Sequence, residues 1–327
     1  MGTYIYKLKF EAPLLISSDP LSLEKPEVII HSDTLFSAIA NTYLYLFRDI
    51  GEEFFTDPFF TISSAFPFFG DTLFVKRPRV RRISNEELGN FAKKLKKVQF
   101  VSWDIFKKLA QGDGGLKISE EDFKGEFLFS STIEDEMFVI NEIPRCRISA
   151  LTNETDIFYS HRVEFASDAG LFFFVEFKKE TDKTHFDSAL QLLGEMGIGG
   201  ERSLGLGRFQ VVETKEFQIK IPDSDSYGYF TNLSLYHPRK SEIKEGILEG
   251  ARYDFITRQN WIFSDGPVPL RSKSARMFLE GSIFKNIPDA KGDLTDTTPQ
   301  IAEAQNYLLH RVYRSGLLFK YPIALKA

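Results

Sequence analysis

Between residues 197 and 209 the chain gathers residue types that bind anions. Gly197, Gly199, Gly200, Gly205 and Gly207 alternate with Glu201, Arg202, Ser203 and Arg208. Glycine permits positive φ and lets another molecule approach the main chain. The freed N–H groups can cradle an anion, and arginine adds charge-assisted hydrogen bonds to phosphate. The competing reading is a tight turn with no ligand. Neither common nucleotide-binding loop fits. No lysine followed by Ser or Thr closes the motif, and the order is helix, loop, strand rather than strand, loop, helix.

A second concentration is basic. Lys76, Arg77, Arg79, Arg81 and Arg82 surround Pro78, and Lys93, Lys94, Lys96 and Lys97 follow; with Glu86 and Glu87 the local charge is +7, in a chain of net charge −5. Extended, the first group puts Arg77, Arg79 and Arg81 on one face, which suits a single-stranded phosphate backbone. A solvated charge run is the alternative, and the later lysines read as the wet face of a helix. Arg145 and Arg147 fall on an expected strand, either as RNA contacts or as part of an intrachain ion-pair face.

The case for catalysis is thinner. His31, at a helix start, suits a general base for cleavage through an RNA 2′-hydroxyl; the alternative is a histidine that hydrogen-bonds, stacks or packs. Asp33 is a candidate metal ligand or a first-turn acid favoured by the helix dipole. The five histidines are scattered, no carboxylate pair stands out, and Cys146 is the only cysteine. A cysteine-type zinc cluster and an internal disulfide are excluded. The expectation is a binding protein rather than an enzyme, with no cofactor and no metal.

The elements that position these residues follow from periodicity. Tyr4–Ala12 reads as a strand. Leu35, Phe36, Ile39, Tyr43 and Leu46 recur at helical spacing, with Ser32 or Asp33 as the N-cap. Phe60–Phe69 reads as a strand ending in a turn at Pro67, and Glu86–Leu109 as a helix. Arg145–Ala150 and Ile157–Phe165 read as strands, and Leu171–Phe177 as a buried one. A helix over about 185–196 leads into the glycine loop, and a strand leaves it over 208–213. Strand, helix and strands closed by helix and strand make a ferredoxin-like βαββαβ pattern. The surplus over about 72–147 is an insertion. After a polar, Pro- and Ser-containing break, strands at Tyr229–Tyr236, Arg252–Phe263, Ala275–Phe284 and Gly316–Tyr321, with a helix at about 299–309, suit a second such unit. The expected architecture is therefore α+β, with two ferredoxin-like (RRM-like) domains, 1–216 and 217–327. No apolar run approaches the roughly 18 residues of a membrane span. The alternating N-terminus is not a signal peptide, and cysteine usage fits the cytoplasm.

The pattern Gly199-Gly200-Glu201-Arg202-Ser203-x-Gly205-x-Gly207-x-Phe209 resembles the glycine-rich loop of the RAMP superfamily, RNA-binding proteins of CRISPR systems. The first strand, the stretch Ile29–Ala38, and Pro144–Thr152 with Ile157–Tyr159 narrow the resemblance. They are similar to the type III-A (Csm) subunit that caps the 5′ handle of the guide RNA (crRNA). The resemblance covers most of residues 1–215; the last third matches in size and pattern only. It implies a noncatalytic subunit for antiviral defence. Such a subunit grips the handle, bridges the large polymerase/nuclease signature subunit to the backbone RAMP subunit, and meets target RNA only indirectly. By position, the glycine loop with Arg202 would hold handle phosphates, and His31 and Ser32 would lie near RNA. The basic segment would form a thumb-like hairpin. Two alternatives come with the resemblance. The repeat-processing endonuclease, metal-independent, uses a histidine near its first helix, as His31 would. The backbone RAMP cuts target RNA with an acidic residue in the region of Asp33. A structural assembly factor that touches no RNA is a third class.

Overall fold

The computed structural model describes residues 2–17, 26–47, 53–80, 91–112, 118–130, 135–149, 151–219, 227–263, 269–301, 308 and 310–324. Arg81 and Arg82, and most of the helix expected at 299–309, lie outside them.

In chain order the first part contains β1 (Thr3–Phe10), α1 (Ser32–Leu46), α2 (Glu53–Thr56), β2 (Phe60–Ile62), β3 (Phe66–Phe69) and β4 (Thr72–Lys76). Next come α3 (Ala92–Lys97), β5 (Phe100–Ser102), α4 (Trp103–Ala110), β6 (Phe123–Lys124), β7 (Phe127–Leu128), β8 (Phe138–Ile148) and β9 (Thr155–Phe165). Then follow β10 (Ala169–Phe177), α5 (Asp182–Met196) and β11 (Phe209–Glu216). The last part holds β12 (Tyr229–Asn232), α6 (Lys240–Lys244), β13 (Phe255–Arg258), β14 (Ala275–Phe278), β15 (Ile283–Lys285), β16 (Gly292–Asp296), β17 (Tyr313–Leu317) and β18 (Lys320–Ile323).

The mixed α+β class expected from the sequence is what the structure has. One large sheet runs β11-β1-β10-β3-β4-β5-β7-β6, with β2 also paired to β10. Its centre explains why β10 is an unbroken apolar run. Leu171, Phe173 and Val175 pack against α1 and α5 through Leu35, Ile39, Phe186 and Leu190. Phe172 and Phe174 point the other way, into a core shared with Phe100, Phe106, Phe319 and Tyr321. Alternate residues of a strand face opposite sides, so both faces of this strand are covered. The inserted elements and the C-terminal part supply the second cover. The described C-terminal strands form a three-stranded sheet, β15-β12-β18, and two ribbons, β13-β14 and β16-β17.

Three local expectations are corrected. Phe60–Phe69 is two strands, and Pro67 lies within β3 opposite Leu171 instead of ending it. Between the two, the Ser64 N–H donates to Leu233 O at 2.8 Å, so the chain steps towards the C-terminal part. The helix expected over Glu86–Leu109 is interrupted: Phe100–Ser102 adds to the sheet between β4 and β7, because strand pairing on both sides outweighs helical propensity there. The N-cap position of α1 is His31, and no side chain caps it. β8 and β9 form a long hairpin, paired from Phe138↔Phe165 out to Ile148↔Thr155. The basic segment closes β4 at Lys76 and continues as irregular chain through residue 80; the rest of the hairpin expected there, over residues 81–90, lies outside the described residues.

Candidate nucleic-acid interface

The glycine loop begins where α5 ends, at Gly197 with φ 80°. It folds against itself and against residues 13–16. Ile198 N–H donates to Gly207 O at 3.0 Å, Gly200 N–H to Leu15 O at 2.8 Å, and Gly207 N–H to Pro13 O at 2.9 Å. A Cβ on Gly199 would lie 2.5 Å from Leu15 O, and one on Gly207 only 1.9 Å from Ile198 O. The close approach that these glycines permit is therefore made by the protein's own backbone. Gly205 differs: its φ is +83°, and nothing lies within 4 Å of the point that a Cβ would occupy. It sits beside the 3₁₀ turn Arg202–Leu204, whose Ser203 and Leu204 are exposed, as is Arg208 beyond it.

Glu201, in the left-handed conformation at φ 56°, ties this crest to the hairpin. Its Oε1 accepts from Arg145 at 2.9 Å and its Oε2 from Arg162 at 2.6 Å. Arg162 has no counterpart in the sequence reading, because its pairing with Glu201 is visible only once the hairpin is folded. Arg147 lies farther out on the hairpin and faces Asp156 across the strands at 3.5 Å, both side chains exposed. The outer hairpin is also apolar at its surface: Ile148, Leu151, Ile157 and Tyr159 are exposed. On the opposite side of the loop, the Arg202 guanidinium lies 4.9 Å from the centre of the Phe263 ring.

The basic segment forms a separate surface. Lys76 Nζ donates to Gln99 Oε1 at 2.7 Å and sits over the Phe100 ring, while Arg77 donates to Leu95 O at 2.7 Å. Burial holds both cations below their ordinary pKa. Arg79 pairs with Asp254 near the surface. With Lys96 and Lys97 these residues line an open cleft of about 760 Å³.

The head of α1 is buried. His31 is 2% exposed, its Nδ1 at 2.8 Å from Glu280 Oε1 and its Nε2 at 3.3 Å from Glu27. Burial alone would lower the His31 pKa; Glu280 and Glu27 outweigh it and push it up to about 10. Ser32 Oγ accepts from the Leu235 N–H at 2.9 Å, and its own N–H donates to Ser64 Oγ at 2.9 Å. Ser64 in turn bonds Glu280. Asp33 is fully buried and bonded by Arg258 Nε at 3.0 Å and by Arg314. Burial opposes its ionisation, but the two guanidinium groups hold its pKa well below the carboxylate range. Asp33 is thus not the N-cap of α1 but an acid of its first turn, whose Oδ1 also accepts from the Thr34 N–H at 2.7 Å. Three of its network's members, Arg258, Glu280 and Arg314, are not marked by the sequence; isolated charges on apolar strands are their only signal. Among the described residues no group of His, Cys, Asp and Glu is disposed to hold a metal, and no helix is long and apolar enough to cross a membrane.

The structure thus assembles Arg145, Arg162, Glu201, Arg202 and the loop glycines at one place, puts Lys76, Arg77 and Arg79 at another, and withdraws His31 and Ser32 into an internal seam. Comparison with known proteins agrees with the loop's resemblance. The RAMP superfamily model matches residues 7–210, and that of the CRISPR Csm4 C-terminal domain matches residues 225–323. "CRISPR system Cms protein Csm4" of Thermococcus onnurineus is 27% identical, covering 97% of this chain and 98% of its own. The protein of that name in Methanocaldococcus jannaschii is 24% identical over 90% and 91%. Among solved structures, a chain of a Csm1-Csm4 cassette in complex with cA4 superposes with TM-score 0.63 at 20% identity, over the whole of both chains. A chain of a Csm3-Csm4 subcomplex gives 0.62 at 18% identity, over 99% of this chain and 100% of its own. With a superfamily match across more than half its length, the chain belongs to the RAMP superfamily, and over its whole length it is similar to the Csm4 proteins of type III CRISPR systems.

Proposed function

We propose that this chain is a noncatalytic RNA-binding subunit of a type III-A CRISPR (Csm) effector complex. It holds the repeat-derived 5′ handle of the crRNA and bridges the large signature subunit to the backbone RAMP subunits. The observation that carries this reading is the junction of the glycine-loop crest with the base of the β8–β9 hairpin. There Arg202 and Arg208 flank an exposed turn, and Glu201 gathers Arg145 and Arg162 beside it. Guanidinium groups next to an open, glycine-flanked turn suit phosphates. Exposed aliphatic and aromatic side chains on the hairpin suit unstacked bases or a partner subunit.

The noncatalytic part rests on His31 and Asp33. Both are buried, and both are engaged by partners from the C-terminal part of the chain. A general base must reach the proton that it removes, and neither side chain is more than 2% exposed. The bridging part is supported by the solved relatives, which pair Csm4 with Csm1 in one case and with Csm3 in another. The domain reading, 1–216 and 217–327, is kept as part of this proposal. The order β11-β1-β10-β3, antiparallel throughout, is the order of a βαββαβ sheet and supports a ferredoxin-like first unit.

The test is a gel shift with end-labelled repeat RNA carrying the processed 5′ handle, run in EDTA and in Mg²⁺. The expected result is a shift without fragments in both, weakened by Arg202→Ala, with a salt slope flatter by about 0.7 per lost single-strand contact. Cleavage in EDTA that disappears in His31→Ala would make the protein a processing nuclease. Arg202→Ala binding indistinguishable from the unmodified chain would count against an RNA role for the loop.

A further inference from the structure

The C-terminal part carries a surface that this reading does not use. On the β13–β14 ribbon and the segment that extends it, Phe255, Trp261 and Phe263 are 55%, 55% and 64% exposed. Each has an arginine over its ring. Arg276 lies 5.4 Å from the centre of Phe255, Arg271 lies 4.7 Å from Trp261, and Arg202 lies 4.9 Å from Phe263. Lys273 is exposed on the same ribbon. None of the three arginines has an ion-pair partner among the described residues. The third pair is made by the glycine loop itself, so ribbon and loop are one continuous surface.

Behind Trp261 and Phe263 lies a cleft of about 490 Å³, walled on its far side by α1 through Ser37, Asn41 and Leu44. Arg314 lines it at 7% exposure. Its terminal nitrogen bonds Asp33, yet its Nε has no partner among the described residues. A buried donor left without an acceptor is costly.

We propose that the ribbon and cleft form a second single-stranded RNA site, continuing the path that begins at the glycine loop. One base stacks on Trp261. The next enters the cleft between Trp261 and α1. The intervening phosphates follow Arg202, Arg271 and Arg276. Exposed aromatics interleaved with cations are how sequence-tolerant single-strand sites are built. A row of guanidinium groups with no ion pair among the described residues favours a polyanion over an apolar protein partner. The proposal rests on the RNA-binding reading above and extends it to the C-terminal part.

The chain has two tryptophans, Trp103 and Trp261. Trp103 packs in the core against Phe106, Phe174 and Tyr321. In Trp103→Phe, emission therefore reports Trp261 alone. The full-length variant is titrated with repeat-derived single-stranded RNA and with poly(A), reading emission and gel shift together. The expected result is quenching of Trp261 in step with the shift, and roughly tenfold weaker binding in Trp261→Ala. A shift with unchanged Trp261 emission, or undiminished binding by Trp261→Ala, overturns this site and leaves the loop reading standing. No shift with either RNA overturns both. A Trp261 signal that responds to a partner subunit but not to RNA makes the surface a protein interface and also overturns the proposal. If Trp103→Phe does not fold, fluorine-labelled tryptophan in the unmodified chain resolves Trp261 by NMR with the same outcomes.

Discussion

Arg258 Nε reaches Asp33 Oδ2 at 3.0 Å across 225 positions of sequence, and both side chains are buried. Arg314 joins them from still farther along the chain. The head of α1, which by sequence looks like a place for chemistry, is in three dimensions where the first and last parts of the chain are locked together. Removing the acid's charge would take from the two buried guanidinium groups the carboxylate that both of them bond. Asp33→Asn is expected to lower unfolding stability by about 3–5 kcal/mol, measured by urea denaturation. Loss of less than about 1 kcal/mol would show that the network is solvated or dispensable.

The neighbouring His31–Glu280 contact gives the seam a pH dependence. Because the folded His31 pKa is raised from 6.5 to about 10, its contribution is complete below pH 6.5 and fades as pH rises through 10. Asp33 and Glu280 are held below their ordinary values, so their contributions are present above the usual carboxylate range and vanish on acidification. Stability is therefore expected to be highest from weakly acidic to neutral pH, where all three contributions are present. His31→Gln should flatten the alkaline decline of the urea midpoint. An identical alkaline slope in both proteins would place the titrating group elsewhere.

These two predictions mark what the sequence carries and what it does not. The apolar run of β10, the helical spacing of α5 and the glycine loop are readable because each is a local pattern. The strand Phe100–Ser102 is not, because lysines on either side continue a helical period through it. The roles of His31 and Asp33 depend on Glu280, Arg258 and Arg314, and spacing says nothing about partners so distant. Charge in the basic segment suggests RNA contact, and the family resemblance, not the charge, implies a hairpin there. What builds the β8–β9 hairpin is cross-strand pairing between Phe138–Ile148 and Thr155–Phe165. Phe255, Trp261 and Phe263 fall in a stretch that reads as a strand. Only the fold shows that these rings stay at the surface with arginines over them.

The loop's glycines separate by role. In Gly207→Ala the new methyl would meet Ile198 O, a backbone atom that cannot swing aside. Overpacking and left-handed strain together should cost about 2–4 kcal/mol. In Gly205→Ala there is open space, so only the strain remains, about 1–2 kcal/mol. Thermal unfolding distinguishes them. Equal costs would mean that the loop relaxes and that its packing on Leu15 and Ile198 is loose. Gly205→Ala is then the variant with which to ask whether RNA meets the crest, because it leaves the fold nearly intact.

Glu201 supplies the last test, because it neutralises two arginines at the surface proposed to meet RNA. The three side chains are partly exposed, so this exposed-type network is worth about 1 kcal/mol or less to stability. Glu201→Gln removes the negative charge and keeps an oxygen that can accept a hydrogen bond. If Arg145 and Arg162 lie along the RNA path, the freed guanidinium groups take up phosphates. The salt dependence of binding should then steepen by about 0.7 for each added contact, with affinity at low salt held or raised. If the arginines serve only to brace the hairpin on the loop, the slope stays the same, binding weakens, and amide exchange along β8 and β9 accelerates. Measuring binding over a salt series together with hydrogen exchange separates the two, and an unchanged slope with faster exchange would remove Arg145 and Arg162 from the RNA interface.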